Sequence, residues 1–433
     1  SLERVVTSVT KHSNSFGEVL TSQYFLQLLD LFRSEKKTDM CKELLLNFTK
    51  SNETTSDPVV IATVFDIARS LHDSLDSLSV DDERKQISDL LCRFVTLIDF
   101  GNNLEQQLNI LVDCRAAFPN LDSVKDRLVL SVVHLAARAH AMVKGKHNRK
   151  TSAFVKACLA CCHITIPSID NVFRRLYLFL HCGQVALING CLPQTDTFFK
   201  AAISIIPDIP QSTNYDYDRQ RLPSEPRLLE FFKSFLSSLI IVPGHPEHGP
   251  FYLIKGLRNA VSKYEWKEGH GGKTELFIYI LPVLSAWSQR KLPYCIDSVD
   301  SNDSLFGGNA LFLGQCADQF VELFDEILVG LSEVAEYENG NDKAKKRCAD
   351  LIVLLVNVLV VNVDLSESSK ICKVIKKMMD KARGYNPTSP FLDETLRFIT
   401  SLGNGTSERS KARGGQNEQL MAKLAGSLKV SSF

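Results

Sequence analysis

Four stretches of this chain hold residue types whose spacing could do chemistry. The segment CLACCH puts Cys158, Cys161, Cys162 and His163 within six residues. Zinc takes thiolates and imidazoles in tetrahedral sets, and a CxxC supplies two of the four ligands. No second pair stands at a matching spacing, and a haem attachment pattern needs His where Cys162 stands. The segment HPEH sets His245 and His248 three apart around Pro246 and Glu247. A zincin places its two histidines four apart on a helix, so HPEH fits a rigid loop better than a metal site. GHGGKT (269–274) resembles a phosphate loop. The residue five before its GK[ST] is Lys267 rather than Gly, no strand precedes it, and a plain flexible turn is expected. In DSVDSNDSLFGG (297–308), a calcium loop starting at Asp300 needs Gly at 305 and Glu at 311, and both are Leu.

What remains is not catalytic. No GxSxG occurs, and no Ser-His-Asp order or carboxylate pair stands out by spacing. No catalytic residue, cofactor or metal is therefore expected. The HPEH and DSVDSNDSLFGG loops instead suit protein contact. Pro243 and Pro246 fix the backbone, so little entropy is lost on engagement. The candidate partner-binding residues are Pro243, His245, Pro246, Glu247, His248 and Gly249, with Asp300, Asn302 and Asp303 from the second loop. A stiff helix–helix connector is the plain alternative for the first loop. The basic turn Lys144, Lys146, His147, Arg149 and Lys150 could meet acidic lipid or an acidic partner; a solvated turn is its alternative.

The elements that would position these residues are helices. Leu121, Val124, Leu128, Val132, Leu135, Ala139 and Met142 recur at steps of three and four, as one helix face requires. Leu104, Leu108, Leu111 and Val112 do the same before them, and Leu228, Phe232, Phe235 and Leu239 after. Asn120, Ser224 and Ser366 stand where helix caps belong, and Pro119, Pro167, Pro207 and Pro243 where helices stop. The run AFVKACLACCHITI predicts one buried helix in which Cys packs as a small hydrophobe. Roughly sixteen helices of about 12–22 residues result, with no stretch of period-two alternation. Helix pairs that each bury one face on the next pair give an all-α fold, an α-solenoid of HEAT-like helical hairpins. A globular all-α bundle is its rival. The solenoid is expected over residues 1–402, a flexible basic linker over 403–417 and a short amphipathic tail over 418–433, with Leu420, Leu424 and Leu428 on one stripe. Residues 208–225 read as a long exposed loop.

Composition sets outer bounds. A chain of 433 residues exceeds one compact core, so several domains or an elongated stack are expected. Apolar residues make up 44% and charged residues 23%, as in folded globular chains. Lys and Arg number 50, as do Asp and Glu, so no net charge draws the chain to nucleic acid. The most apolar run, LIVLLVNVLVVNV (351–363), is short for a membrane span and carries Asn357 and Asn362; a buried helix is expected. Twelve Cys, mostly inside helical runs, with no secretory signal after Ser1, suggest a reduced cytosolic setting and a fragment of a longer chain. The four sequons at Asn47, Asn52, Asn302 and Asn404 are then silent.

Longer strings carry a family resemblance. RKTSAFVKACLACCHITIPSI, FLHCGQVALINGCL, FFKAAISIIPDIP, IIVPGHPEHG and DSVDSNDSLFGG together resemble the large α-solenoid subunit of retriever, the retromer-like endosomal recycling complex of the Commander assembly. The likeness runs from about residue 99 to Asn309; residues 1–98 fit weakly and 310–433 match only as further helices. The chain then corresponds to the C-terminal half of that family. The resemblance implies a non-catalytic, cytoplasmic scaffold, peripheral to the cytosolic face of endosomes. It implies a solenoid that curves around a small metallophosphoesterase-fold subunit, and an arrestin-like subunit held by an N-terminal half not present here. It implies work with a sorting-nexin cargo adaptor and with the coiled-coil and COMM-domain proteins of Commander, returning membrane cargo such as integrins to the cell surface. Two readings stay open beside it: a general solenoid adaptor outside endosomal sorting, and a helical enzyme with metal at Cys158, Cys161 and His163.

Overall fold

The computed structural model describes residues 19–22, 24–50, 53–75, 80–214, 221–289, 309–362 and 369–403. Among them are sixteen α-helices and one two-stranded ribbon. The first nine helices are α1 Phe25–Asp30, α2 Ser34–Lys50, α3 Pro58–Asp73, α4 Asp81–Leu97, α5 Leu104–Ala117, α6 Asp122–Val143, α7 Arg149–Thr165, α8 Val172–Ile188 and α9 Leu192–Ser204. The ribbon, β1 Ser212–Asn214 and β2 Arg221–Pro223, follows. Then come α10 Ser224–Leu239, α11 Tyr252–Lys263, α12 Gly272–Trp287, α13 Ala310–Gly340, α14 Asp342–Asn362, α15 Ser369–Tyr385 and α16 Pro390–Gly403.

Contacts divide the chain into two compact units, Ser1–Ala202 and Ile203–Phe433. Within each, the helices form two rows. In the first unit α2, α4, α6 and α8 pack each on the next, while α3 fills the notch between α2 and α4, and α7 that between α6 and α8. In the second unit α10, α12, α14 and α16 form the equivalent row, with α13 between α12 and α14. Every extensively packed helix pair lies within two described helices in the chain. That is the packing rule of stacked helical hairpins, in which each repeat buries its apolar face on its neighbours alone. The α-solenoid arrangement is thus present in each unit.

The stripes account for the cores. In α6, Val124, Leu128, Val132, Leu135 and Ala139 are buried. In α10, Leu228, Phe232, Phe235 and Leu239 are fully enclosed. Two stripe ends differ from expectation. Met142, in the last turn of α6, is exposed, and so is Val112; α5 buries Gln107, Leu111 and Cys114 instead, a line that leaves Val112 about 100° off the contact face. The buried Gln107 satisfies both ends of its amide. Its Nε2 donates to the Ile98 carbonyl at 2.9 Å, and its Oε1 accepts the Phe100 N–H at 2.9 Å.

The proline stops hold: α5 ends before Pro119, and Pro167 and Pro207 each sit in a 3₁₀ turn that closes a helix. The cap assignments need correction. Leu121 rather than Asn120 occupies the cap position of α6. Ser224 is the buried first residue of α10, and its N–H donates to the Gln211 carbonyl at 2.9 Å. Ser366 lies outside the described residues. The expected 208–225 loop is shaped at both ends: Ile209 is buried, and Ser212 to Asn214 pair antiparallel with Pro223 to Arg221. Short ladders of this kind satisfy backbone groups that an open loop leaves to water.

The apolar run of α14 is buried through Leu351, Val356 and Val360. Its polar residues are partnered, Asn357 donating to Thr395 Oγ1 and Asn362 to the Val358 carbonyl, both at 2.9 Å. No helix among the described residues is long and apolar enough to cross a membrane. The expected linker and tail from residue 404 onward lie outside the described residues, and α16 runs to Gly403.

Candidate partner-binding site

The HPEH loop joins α10 to α11 and is closed on itself. The His245 N–H donates to the Gly249 carbonyl at 3.2 Å, and the Gly249 N–H returns to the His245 carbonyl at 2.9 Å. Inside this bridge, His245 Nδ1 accepts the backbone N–H groups of Glu247 at 3.1 Å and His248 at 3.2 Å. An Nδ1 used as acceptor carries no proton, so the ring proton sits on Nε2. The His248 ring stacks on His245 with centroids 4.4 Å apart, and Tyr252, the first residue of α11, meets both rings, His245 edge-on at 5.3 Å. Gly249 takes a φ of +77° to complete the turn.

Below the loop lies its support. Pro243 is buried, and Phe251 stacks on Phe312 at 5.4 Å and meets Trp287 edge-on at 5.8 Å. Trp287 Nε1 donates to the Ile240 carbonyl at 3.1 Å, which ties the end of α10 to the same cluster. Pro246, Glu247 and His248 are left exposed on top. Of the expected residues, these three form the presented surface, while Pro243, His245 and Gly249 shape it. Asp300, Asn302 and Asp303 lie outside the described residues. The first described residue after that loop, Asn309, caps α13 by accepting the Leu311 and Phe312 N–H groups. Because Phe312 stacks on Phe251, the chain leaving one candidate loop meets the chain leaving the other.

Tyr252 and the Phe251–Trp287–Phe312 cluster were not evident from sequence reasoning. Helical spacing gives no signal for Tyr252, because His248 lies in the turn before α11 and Tyr252 is the first helical residue. For the aromatic cluster no local signal exists, since its members stand 36 and 25 residues apart.

The other chemical stretches resolve into structure. Cys158 and Cys162 are buried in α7, Cys161 is half-buried and His163 exposed, so the four do not converge; no metal-holding cluster occurs among the described residues. Burial, then the neighbouring Cys162 and Cys161 thiols, pushes the Cys158 thiol up. The 269–274 turn is packed rather than flexible. Gly271, at φ +64°, stands where a Cβ would lie 2.6 Å from Leu351 Cδ1, and Arg347 Nε donates to the His270 carbonyl at 2.8 Å. The cavity beside it, about 660 Å³, is lined by the carboxylates of Glu268, Asp325, Glu326 and Glu333 and by Lys267 and Lys273. The carboxylates outnumber the ammonium groups, a balance that disfavours phosphate. In the basic turn, Lys144 closes α6 in the left-handed region and Asn148 forms a capping box with Thr151. His147 turns inward to His140, ring centroids 5.7 Å apart. Burial first, and His140 second, hold its imidazole below the ordinary histidine range. Lys144, Lys146, Arg149 and Lys150 stay exposed.

Comparison with known proteins gives the lineage. The family model described as the VPS35L C-terminal domain matches residues 1–407. The chain belongs to that family. It is 40% identical over 366 residues to the human protein named VPS35 endosomal protein-sorting factor-like, covering 84% of this chain and 37% of that one. The Dictyostelium discoideum protein of the same name is 38% identical over 409 residues, covering 93% of this chain and 40% of the relative. The Drosophila melanogaster relative is 35% identical over 347 residues, covering 79% and 36%. The chain thus spans about two fifths of the length of the relatives it matches. The family match also takes in residues 1–98, where the quoted strings are weak, and α13 to α16.

Proposed function

We propose that the chain is the C-terminal scaffold portion of a retriever-type subunit. In this reading it holds a small metallophosphoesterase-fold subunit and so serves the return of membrane cargo from the cytosolic face of endosomes to the cell surface. The observation that carries the reading is family membership over residues 1–407, among relatives named as endosomal protein-sorting factors. The two-row helical stacks support it, because such stacks offer long surfaces built from successive inter-helix loops. The scaffold is non-catalytic. The arrestin-like subunit binds outside this span, and the COMM-domain, coiled-coil and sorting-nexin proteins join through the assembled complex. The exposed rim of Pro246, Glu247 and His248 contributes to capture of the small subunit.

The test is capture of the purified phosphoesterase-fold subunit by the 433-residue chain. His245, Glu247 and His248 changed together to Ala should weaken capture several-fold while Tm moves by no more than about 2 °C, since the loop is half-exposed. Absence of capture by the unaltered chain sinks the scaffold reading. Unchanged capture by the triple variant removes only the loop.

A further inference from the structure

We infer that the C-terminal segment of this chain, residues 418–430, docks in cis on the exposed apolar stripe of α13. The inference is independent of the proposed function. Helix α13 is chemically unlike its neighbours: Ala310–Gly340 contains seven Asp and Glu and no Lys or Arg. Its inner face is committed, with Phe312, Cys316, Leu323, Ile327 and Leu331 buried against α12 and α14. A second apolar line runs beside that face through Ala317, Val321, Phe324 and Leu328, spaced by four, three and four residues. Val321 is 58% exposed and Leu328 36%, and Ala317 is exposed as well. A Cβ placed on Gly314, one turn before Ala317, would meet nothing within 4 Å. Asp318 and Asp325 stand one turn either side of Val321 and have no ion-pair partner among the described residues.

The segment beyond α16 is complementary in both respects. QLMAKLAGSLKV carries Leu420, Leu424 and Leu428 at steps of four, a stripe of about 12 Å if helical, against about 17 Å of apolar line on α13. Residues 404–433 hold five Lys and Arg and two Glu, a net charge of +3. Lys423 falls one turn from Leu420 and so flanks the leucine stripe, as Asp318 and Asp325 flank Val321. Length permits the contact. Sixteen residues separate Gly403 from Leu420, a reach of up to roughly 50 Å. Both α16 and α13 pack on α14, and packed helices lie about 10 Å apart. A second copy of α13 would bring acid against acid, which argues against a homodimer on this face.

Photo-cross-linking of the full 433-residue chain tests this, with p-benzoylphenylalanine in place of Val321. The expected result is an intramolecular cross-link to residues 418–430 in the monomer, mapped by mass spectrometry. Changing Leu420, Leu424 and Leu428 together to Asp, outside every described core, should cut its yield at least fivefold. Raising salt from about 0.05 M to about 0.5 M should reduce it too. Cross-links only to a second copy, only to a retriever-type partner, only elsewhere in this chain, or none at all would each overturn the inference. So would an undiminished yield in the triple-Asp variant.

Discussion

At the residue scale, His245 does more to shape its loop than to meet a partner. Its Nδ1 replaces a carbonyl as acceptor for two successive backbone N–H groups. His245→Ala leaves both to water, since Glu247 and His248 are exposed, so the loop loses its fixed shape at little cost to overall stability. His245→Asn keeps an acceptor on a short side chain, as in turns where Asn bonds the backbone two residues on. Capture of the small subunit should therefore fall several-fold in the Ala variant and recover in large part in the Asn variant, as calorimetry would read. Equal loss in both would assign the ring stack, rather than the acceptor, the controlling role. A second test concerns the cysteines. Burial, with Asp113 adding, pushes the Cys114 thiol up to about 12, and burial likewise raises Cys158. Thiolate is the reactive form. Both should resist alkylation at pH 8 in the folded chain and react once it is unfolded; fast native labelling of Cys158 would contradict the packed helix. That the α10–α11 connection is a stiff turn was legible in the sequence, because Pro243 and Pro246 fix its backbone. The arrangement of its side chains was not, since it depends on which ring nitrogen accepts and on Tyr252 arriving from the next helix.

At the scale of elements, apolar spacing located the helices well and their ends less well. Pro119, Pro167 and Pro207 mark stops because a proline removes a donor and clashes with the preceding turn, although Pro282 is tolerated inside α12. Caps are weaker signals: Asn120 was outcompeted by Leu121, whose burial sets the entry of α6. The glycine turn before α12 was misread because its demand for Gly comes from α13 and α14, far along the chain. Gly271→Ala would place a Cβ 2.6 Å from Leu351 and 2.9 Å from Val334 at a φ of +64°. A loss of about 2–4 kcal/mol is expected in denaturant unfolding. Gly101→Ala, also at positive φ but with nothing within 4 Å, should cost about 1 kcal/mol. Arg258 joins α11 to α13 through Glu322 at 3.0 Å and through Glu326. The hydrogen bond from Arg258 holds the Glu322 carboxyl below the usual carboxylate range. A depressed folded value means stability that is present above the unfolded value of about 4.3 and lost as pH falls below it. With Glu322 largely exposed the effect is small, yet Arg258→Met should flatten the acid limb of the stability curve. An unchanged acid limb would assign it to other carboxylates.

At the scale of the whole chain, the two-row stacking has a consequence for cooperativity. Each helix depends on neighbours within two positions, so damage should spread locally rather than globally. Sequence reasoning reached this architecture because the apolar stripes are local and the connections mostly short. The division at Ala202 and Ile203 escaped it, because the boundary falls inside the helical run of α9 with no change in composition. Phe235 tests the point. It is fully buried in α10, in ring contact with Phe231 at 5.6 Å. Phe235→Ala should cost about 3–5 kcal/mol where it acts. If the units respond separately, hydrogen exchange will quicken through α10, α11 and α12 while protection of α4, α6 and α8 stays at its unaltered level. Uniform loss of protection from α2 to α16 would instead make the chain one cooperative body. A chain of the first kind can loosen one unit while the other keeps its protection, because each stack is held by its own neighbouring helices.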